Sequence, residues 1–382
     1  MKKTISTNQL CLLLIIFIVS LKLSVLPAIT CDFAGTNAYV VSLIALIVDF
    51  ALIMALIIAM QKIPDKSFYE LLSETVSKVV AKIVYVILFL YFFCKLMVAL
   101  LELHDYYIVT LFEHLNPIFF IIALMFLLLY LFNCEFRTLG RMIEILFFPL
   151  AIGISFTLIY PIAEVELVNL LPLFTDGLFP IGNGLLKTSF AYGDYMLLFV
   201  LMGNIKFNPK STKKIFFYVS LALGFVFNFY IIFVGAFGET AVNQSLALSE
   251  LPLHNPYPTT IGRLEWLTII MWTAILLVEV AIIGCCCTTC LTKIFGASDR
   301  KLPTLVLIVV LTVLYFPTYL KLEFALRVAT SATFTWIVNG IHIVMLVLFF
   351  VCYYLQKKPK ASPQEKVKGG KKYVRRSEKN VS

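Results

Sequence analysis

The sequence predicts an all-α integral membrane protein of ten transmembrane helices, set as a 5+5 inverted repeat in which helices 1 and 6 are broken. Three observations carry this. Hydrophobic residues make up 61 % of the 382, charged residues only 14 %, and mean hydropathy is +0.95, far too apolar for a water-soluble chain of this length. Apolar windows of about 20 residues, the length that crosses a bilayer core, recur along almost the whole chain. Basic residues alternate between the connections, crowding every second one.

The windows fall at 9–30, 38–60, 82–103, 117–133, 143–161, 184–204, 215–237, 266–288, 303–320 and 330–355. The first follows Lys2 and Lys3 and imitates a secretory signal, and "AITC" before Asp32 resembles a lipoprotein cleavage site. Its length suffices to span, and Pro27 and Thr30 suit cleavage poorly, so it reads as helix 1. Between windows 2 and 3, Phe68, Leu71, Leu72, Val76 and Val79 recur at helical spacing, which predicts an amphipathic helix over 62–82 lying at the inner membrane surface. The connection 238–262, with Pro252, Pro256 and Pro258, reads equally well as a lid or a plain link. No soluble or β-rich domain fits between the windows, so residues 1–355 form one transmembrane domain. Residues 356–382 are a basic tail without apolar periodicity, expected to be disordered. Its attraction to anionic headgroups is worth about 1 kcal/mol per basic residue near the surface.

Twenty-five of the 31 lysines and arginines lie at Lys2 and Lys3, in 61–82, at Arg137 and Arg141, in 205–214, in 293–301 and in the tail. The opposite connections hold Arg263, Lys321 and Arg327, leaving Lys22, Lys95 and Lys187 within or at the edge of helices. Both termini are therefore expected in the cytoplasm. The net charge of +9 follows the inner membrane face, which argues against nucleic acid as a partner and for the bilayer.

Cys11, Cys94 and Cys352 fall in apolar runs and only Cys31 lies near an outer loop, so no disulfide framework is expected. The run "CCCTTC", Cys285 to Cys290, reads most simply as close packing of small residues, next as an acylation point near the inner face, and least well as a thiolate metal site. His104, His114, His254 and His342 are scattered. His104 and His114 flank "HDYYIVTLFEH", where Asp105 or Glu113 would complete a metal site, although solvated loop histidines are the simpler reading. With no nucleophile motif, P-loop or dinucleotide fingerprint, neither an enzyme nor a cofactor is expected.

Five helices per set is an odd number, so the second set enters from the other side and helix 6 corresponds to helix 1. Both are irregular: "SLKLSVLP" in the first, and "IGNGLLKTSFAYGDYMLLFV" with Gly182, Gly184 and Gly193 in the sixth. Paired breaks of this kind point to a transporter-type binding site. At about 1.5 Å per residue, Lys22 lies roughly 20 Å from the inner face and Asp194 roughly 15 Å from the outer one. In a core of about 30 Å the two differ in depth by about one helical turn, close enough to pair. Lys95, Asp49 and Glu279 are also intramembrane, and each such charge costs about 2.5–3.5 kcal/mol unless it is paired or wetted. Lys22 therefore reads either as part of a working site or as half of a static pair that fixes packing. For Lys187 and Glu102, near helix ends, outward snorkelling is the expectation. Unwound backbone and helix dipoles at a break suit the carboxylate and ammonium of an amino acid. Ser20, Ser24, Ala191 and Gly193, beside Phe190, leave room for it.

The ordered landmarks "ISTNQL", "LPAITCDFAGTNAYV", "GRMIEILFFPLAI", "LPLFTDGLFPIGNGL" and "FAYGDYMLL" resemble the B subunits of spore germinant receptors, a branch of the amino acid/polyamine/organocation permease superfamily. The resemblance covers roughly residues 4–355. It implies a LeuT-like, permease-like domain that senses a small nutrient, typically an amino acid, together with A-type and C-type receptor subunits in the spore inner membrane. It also places Asp194 where the family usually carries Glu, and Ser20 and Lys22 where Gly is common. An ordinary secondary amino acid permease, with Lys22, Asp194 or Glu279 in proton coupling, is the alternative reading.

Overall fold

A computed structural model describes residues 4–63, 66–110, 117–171, 174, 177–253, 265–318 and 322–357. The chain is helical: α1 (Thr7–Leu23), α2 (Leu26–Ala34), α3 (Ala38–Met60), α4 (Phe68–Thr75), α5 (Lys78–Thr110), α6 (Pro117–Asn133), α7 (Phe136–Ile159), α8 (Phe179–Lys187), α9 (Met196–Leu201), α10 (Ser211–Phe237), α11 (Ala247–Leu253), α12 (Glu265–Phe295), α13 (Lys301–Thr318), α14 (Leu322–Ala329) and α15 (Ala332–Lys357). Among the described residues, six stretches are long and apolar enough to cross a membrane: Leu26–Met60, Lys78–Tyr107, Phe136–Ser155, Ser211–Asn243, Ile269–Phe295 and Ala332–Gln356. Thr7–Leu23, Phe119–Asn133, Ser189–Leu201 and Lys301–Leu314 are shorter apolar helices. The chain is thus a helical integral membrane protein.

Burial sorts these helices. All of α1 except Asn8 and Ile15 is buried, so it is a core helix, packed against α7, α10 and α12. By contrast, α3 exposes Ile44, Ile47, Val48 and Ile58 on one face while burying Leu46, Asp49, Ile53 and Leu56 on the other. The landmark "ISTNQL" is the start of α1: Ser6 Oγ accepts the Gln9 N–H at 3.2 Å and Gln9 Oε1 accepts the Ser6 N–H at 3.0 Å, a reciprocal cap. Just before it, the Ile5 N–H donates to Asn204 O at 2.8 Å and the Lys206 N–H to Ile5 O at 2.9 Å. The start of α1 is thereby pinned beside the end of α9, which brings the two irregular regions of the chain together.

The expected surface helix over 62–82 is corrected. Only Phe68–Thr75 forms α4, and its apolar residues Phe68, Leu71 and Leu72 are fully buried against the bundle instead of facing lipid. The Phe68 ring packs at a tilt with its centroid 4.8 Å from that of Phe199 of α9 and 6.1 Å from that of Phe349 of α15. The helix ends at Val76 (φ −114°, ψ −81°), which throws Val79 onto the exposed start of α5. Gly203, at φ +81°, allows this approach, since an added Cβ would lie 2.6 Å from the Ser67 backbone nitrogen.

The four cysteines of "CCCTTC" are buried, and Cys285 Sγ contacts Cys134 O at 3.3 Å, so the run serves as packing on α12. An added Cβ on neighbouring Gly284 would overlap the Phe132 ring. In the connection after α10, α11 was not foreseen, and residues 254–262 of that connection lie outside the described residues. So do His114, Glu113, His254 and the tail from 358.

Candidate functional site

The first interruption follows from Pro27. A proline has no N–H, and its ring crowds the carbonyl four residues earlier, here Leu23, the last residue of α1. Ser24 (φ −99°, ψ −89°) and Val25 form the turn, and α2 restarts with Pro27 in its first turn. Lys22 therefore sits in the last turn of α1, where the helix dipole favours a cation.

The second interruption is longer. After α8 the chain makes one tight turn, Ser189–Ala191, then an extended Tyr192, then Gly193 at φ +87°, before α9 begins. Here the glycine is needed twice over, because an added Cβ would also overlap the His342 ring. The Gly193 N–H donates to both carboxylate oxygens of Asp49 at 3.0 Å, and the Asp194 N–H approaches Asp49 Oδ2 at 3.5 Å. Asp49, on α3, thus satisfies backbone donors that the unwinding exposes.

The two interruptions meet through charge. Lys22 Nζ lies 2.5 Å from Asp194 Oδ2, with both side chains fully buried. Lys95 Nζ, from α5, lies 3.5 Å from Asp194 Oδ1 and 3.5 Å from Ala191 O. Rings cover both cations: Lys22 is 5.2 Å from the centroid of Tyr192 and Lys95 is 4.6 Å from that of Phe17. Beside Lys95, a cavity of about 330 Å³ opens between α5, α14 and α15, with Phe190, Tyr91, Phe334 and Ile341 in its wall.

The sequence-derived residues therefore fall into two groups. Lys22, Lys95, Asp49, Ala191, Gly193 and Asp194 share one cluster, with Phe190 at its edge. Ser20, Ser24 and Glu279, all buried, form the second, and Glu279 adjoins the first through Lys95, Lys22 and Asp194. Ser20 faces Glu279, and Ser24 faces Glu102. Glu102 corrects an expectation: it does not snorkel but is wholly buried. A signal for this existed, since Glu102 is seven residues after Lys95, two turns along the same face of α5. Lys187 is half-buried and donates to Thr330 O at 2.9 Å, at the end of α14. Tyr91 and His342 were missed: the Tyr91 hydroxyl donates to Tyr192 O at 3.3 Å and lies 3.3 Å from His342 Nε2, bracing the Gly193 turn from α5 and α15.

Two interrupted helical segments of a membrane protein, α1–α2 and α8–α9, are thus joined in its interior by buried ions. A sequence model of the family described as spore germination protein matches residues 4–325. The chain belongs to that family of germination-related membrane permeases. No curated protein matches it.

Proposed function

We propose that this chain is the B-type membrane subunit of a nutrient germinant receptor, which senses a small nutrient, an amino acid, at the two helix breaks. The observation that carries the reading is the Lys22–Asp194 pair, which ties one break to the other. A free amino acid carries the same two charges. Its carboxylate replaces Asp194 at the Lys22 and Lys95 ammoniums, and its ammonium replaces the lysines at Asp194. That exchange releases the tie between α1–α2 and α8–α9, and A-type and C-type subunits read the resulting movement. Six long and four short apolar helices support a ten-crossing 5+5 arrangement of residues 1–355. In this reading both termini and the basic tail face the cytoplasm, and the membrane is the inner membrane of the spore.

The test is the germination response of spores whose sole matching receptor carries Lys22→Met or Asp194→Asn, over a panel of amino acids, with subunit abundance measured by blotting. Loss or retuning at normal abundance supports the reading, and an unchanged response overturns it. A second reading, a secondary amino acid permease, draws on the buried carboxylates Glu102 and Glu279, which suit cation coupling. Uptake of labelled amino acid into proteoliposomes by this chain alone favours the permease, and uptake or binding only with partner subunits favours the receptor.

A further inference from the structure

The core helix α1 escapes burial along one line. Asn8 and Ile15 are its residues that are not buried, and they stand seven apart, two turns along one side. Beside Ile15 a cavity of about 180 Å³ opens between α7 and α10, lined by Ile15 and Val19 of α1, Ala151 and Ile154 of α7, and Leu221 and Phe225 of α10. Among the described residues Ser155 brings the one hydroxyl to this wall, and it donates to Ala151 O at 2.7 Å. The flanks are apolar and exposed, Phe148 and Ile152 on α7 and Phe217 and Leu221 on α10, so the cavity opens on lipid.

Two turns earlier on each of these helices, about 10 Å away, the same faces turn polar. Asn8, Glu144 and Lys214 stand seven residues before Ile15, Ala151 and Leu221. They are tied to α1: the Lys214 ammonium donates to Asn8 Oδ1, and Gln9 Nε2 donates to Glu144 Oε2 at 3.2 Å. An ammonium has three donors, of which Asn8 takes one, and among the described residues Lys214 has no carboxylate at ion-pair distance. Against Glu135 and Glu144, this end of α7 and α10 carries Arg137, Arg141, Lys210, Lys213 and Lys214, an excess of cations.

A basic mouth with a dry cavity two turns inside it matches a lipid with an anionic head, the phosphate at the cations and the tail beyond them. We propose that the groove between α7 and α10 binds one anionic phospholipid, its phosphate at Lys214 and one acyl chain in the cavity against Ile15 and Val19. The chain covers the line along which α1 meets the bilayer, and Ile15 lies seven residues before Lys22. The bound lipid therefore braces the helix that carries the buried ion pair. A zwitterionic lipid binds less well, because its own ammonium opposes Lys214. The site does not rest on the amino acid reading.

The experiment is native mass spectrometry of the purified full-length chain in detergent, titrated with dioleoyl phosphatidylglycerol or dioleoyl phosphatidylcholine. The parent is expected to hold one phosphatidylglycerol more tightly than phosphatidylcholine. Lys214→Gln should weaken this by about tenfold, the loss of one hydrogen bond to a charged group, whereas Lys78→Gln, at an exposed lysine of α5 away from the cavity, should bind as the parent does. Ala151→Leu, which fills the cavity, should weaken it too, with the melting of each variant checked by circular dichroism. In the parent itself, dihexanoyl phosphatidylglycerol, whose chains end short of the cavity, should bind less well than the dioleoyl lipid. Equal retention of the two dioleoyl lipids, equal losses in Lys214→Gln and Lys78→Gln, or equal binding of the short and long lipids overturns the proposal. So does displacement of the lipid by glycerol phosphate, which would mark a site for free phosphate, or a lipid-free dimer, which would put a second copy of the chain in the groove.

Discussion

Lys22 and Asp194, 172 residues apart in the chain, meet at 2.5 Å in the interior of the bundle and link the interruption after α1 to the interruption before α9. Such a pair is costly to form and more costly to halve, because a lone buried charge has no water to turn to.

Removing one partner should therefore destabilise the chain by about 3–5 kcal/mol. Asp194→Asn is expected to be the worse of the two, since it strands both Lys22 and Lys95, whereas Lys22→Met leaves Asp194 with Lys95. Thermal unfolding of the purified variants in detergent checks the order.

Asp49→Asn should weaken the second break by about 1.5–3 kcal/mol, the worth of hydrogen bonds to a charged acceptor. The amide keeps one oxygen for the Gly193 N–H but loses the second acceptor and the charge. Faster hydrogen exchange of the Gly193 and Asp194 amides, with the rest of the bundle little changed, is the expected result.

At Gly193, alanine meets two obstacles, the φ of +87° and the His342 ring. Backbone strain of this kind costs about 1–3 kcal/mol. Adding His342→Ala to Gly193→Ala should recover the steric part of the loss and leave the backbone part. Melting of the two single variants and the double variant separates them.

For α4, Phe68→Ala should cost about 3–5 kcal/mol, as for a packed core aromatic. A helix resting on the membrane surface would lose far less from the same change, so the unfolding of this variant tests where its apolar face lies.

Much of this was legible in the sequence. The windows 38–60 and 117–133 coincide with α3 and α6, and counting rises along two helices brought Lys22 and Asp194 to nearly the same depth before any contact was known. Pro27 and Gly193 announced both breaks through the backbone constraints each carries. Hydropathy did not reveal direction. In α5, apolar on every side, nothing in the composition told Glu102 to point inward, and only its two-turn spacing from Lys95 carried that information. The same holds for α4, whose spacing gave an apolar face without saying whether protein or lipid covers it. His342 was invisible because its partners, Tyr91 and Gly193, come from distant segments.

The central claim, that Lys22 and Asp194 are a working site and not a static clasp, is tested most directly by the germination response of spores carrying Lys22→Met, Asp194→Asn or both, at matched subunit abundance. Replacing both partners of the pair removes the Lys22 charge that Asp194→Asn alone would strand and leaves Lys95 as the ammonium without Asp194, so the double variant is expected to be more stable than Asp194→Asn. The account predicts that the double variant, compared at matched abundance, still fails to respond, because the charges that bind the nutrient are gone. A double variant that responds like the parent would reduce the pair to packing and contradict the account.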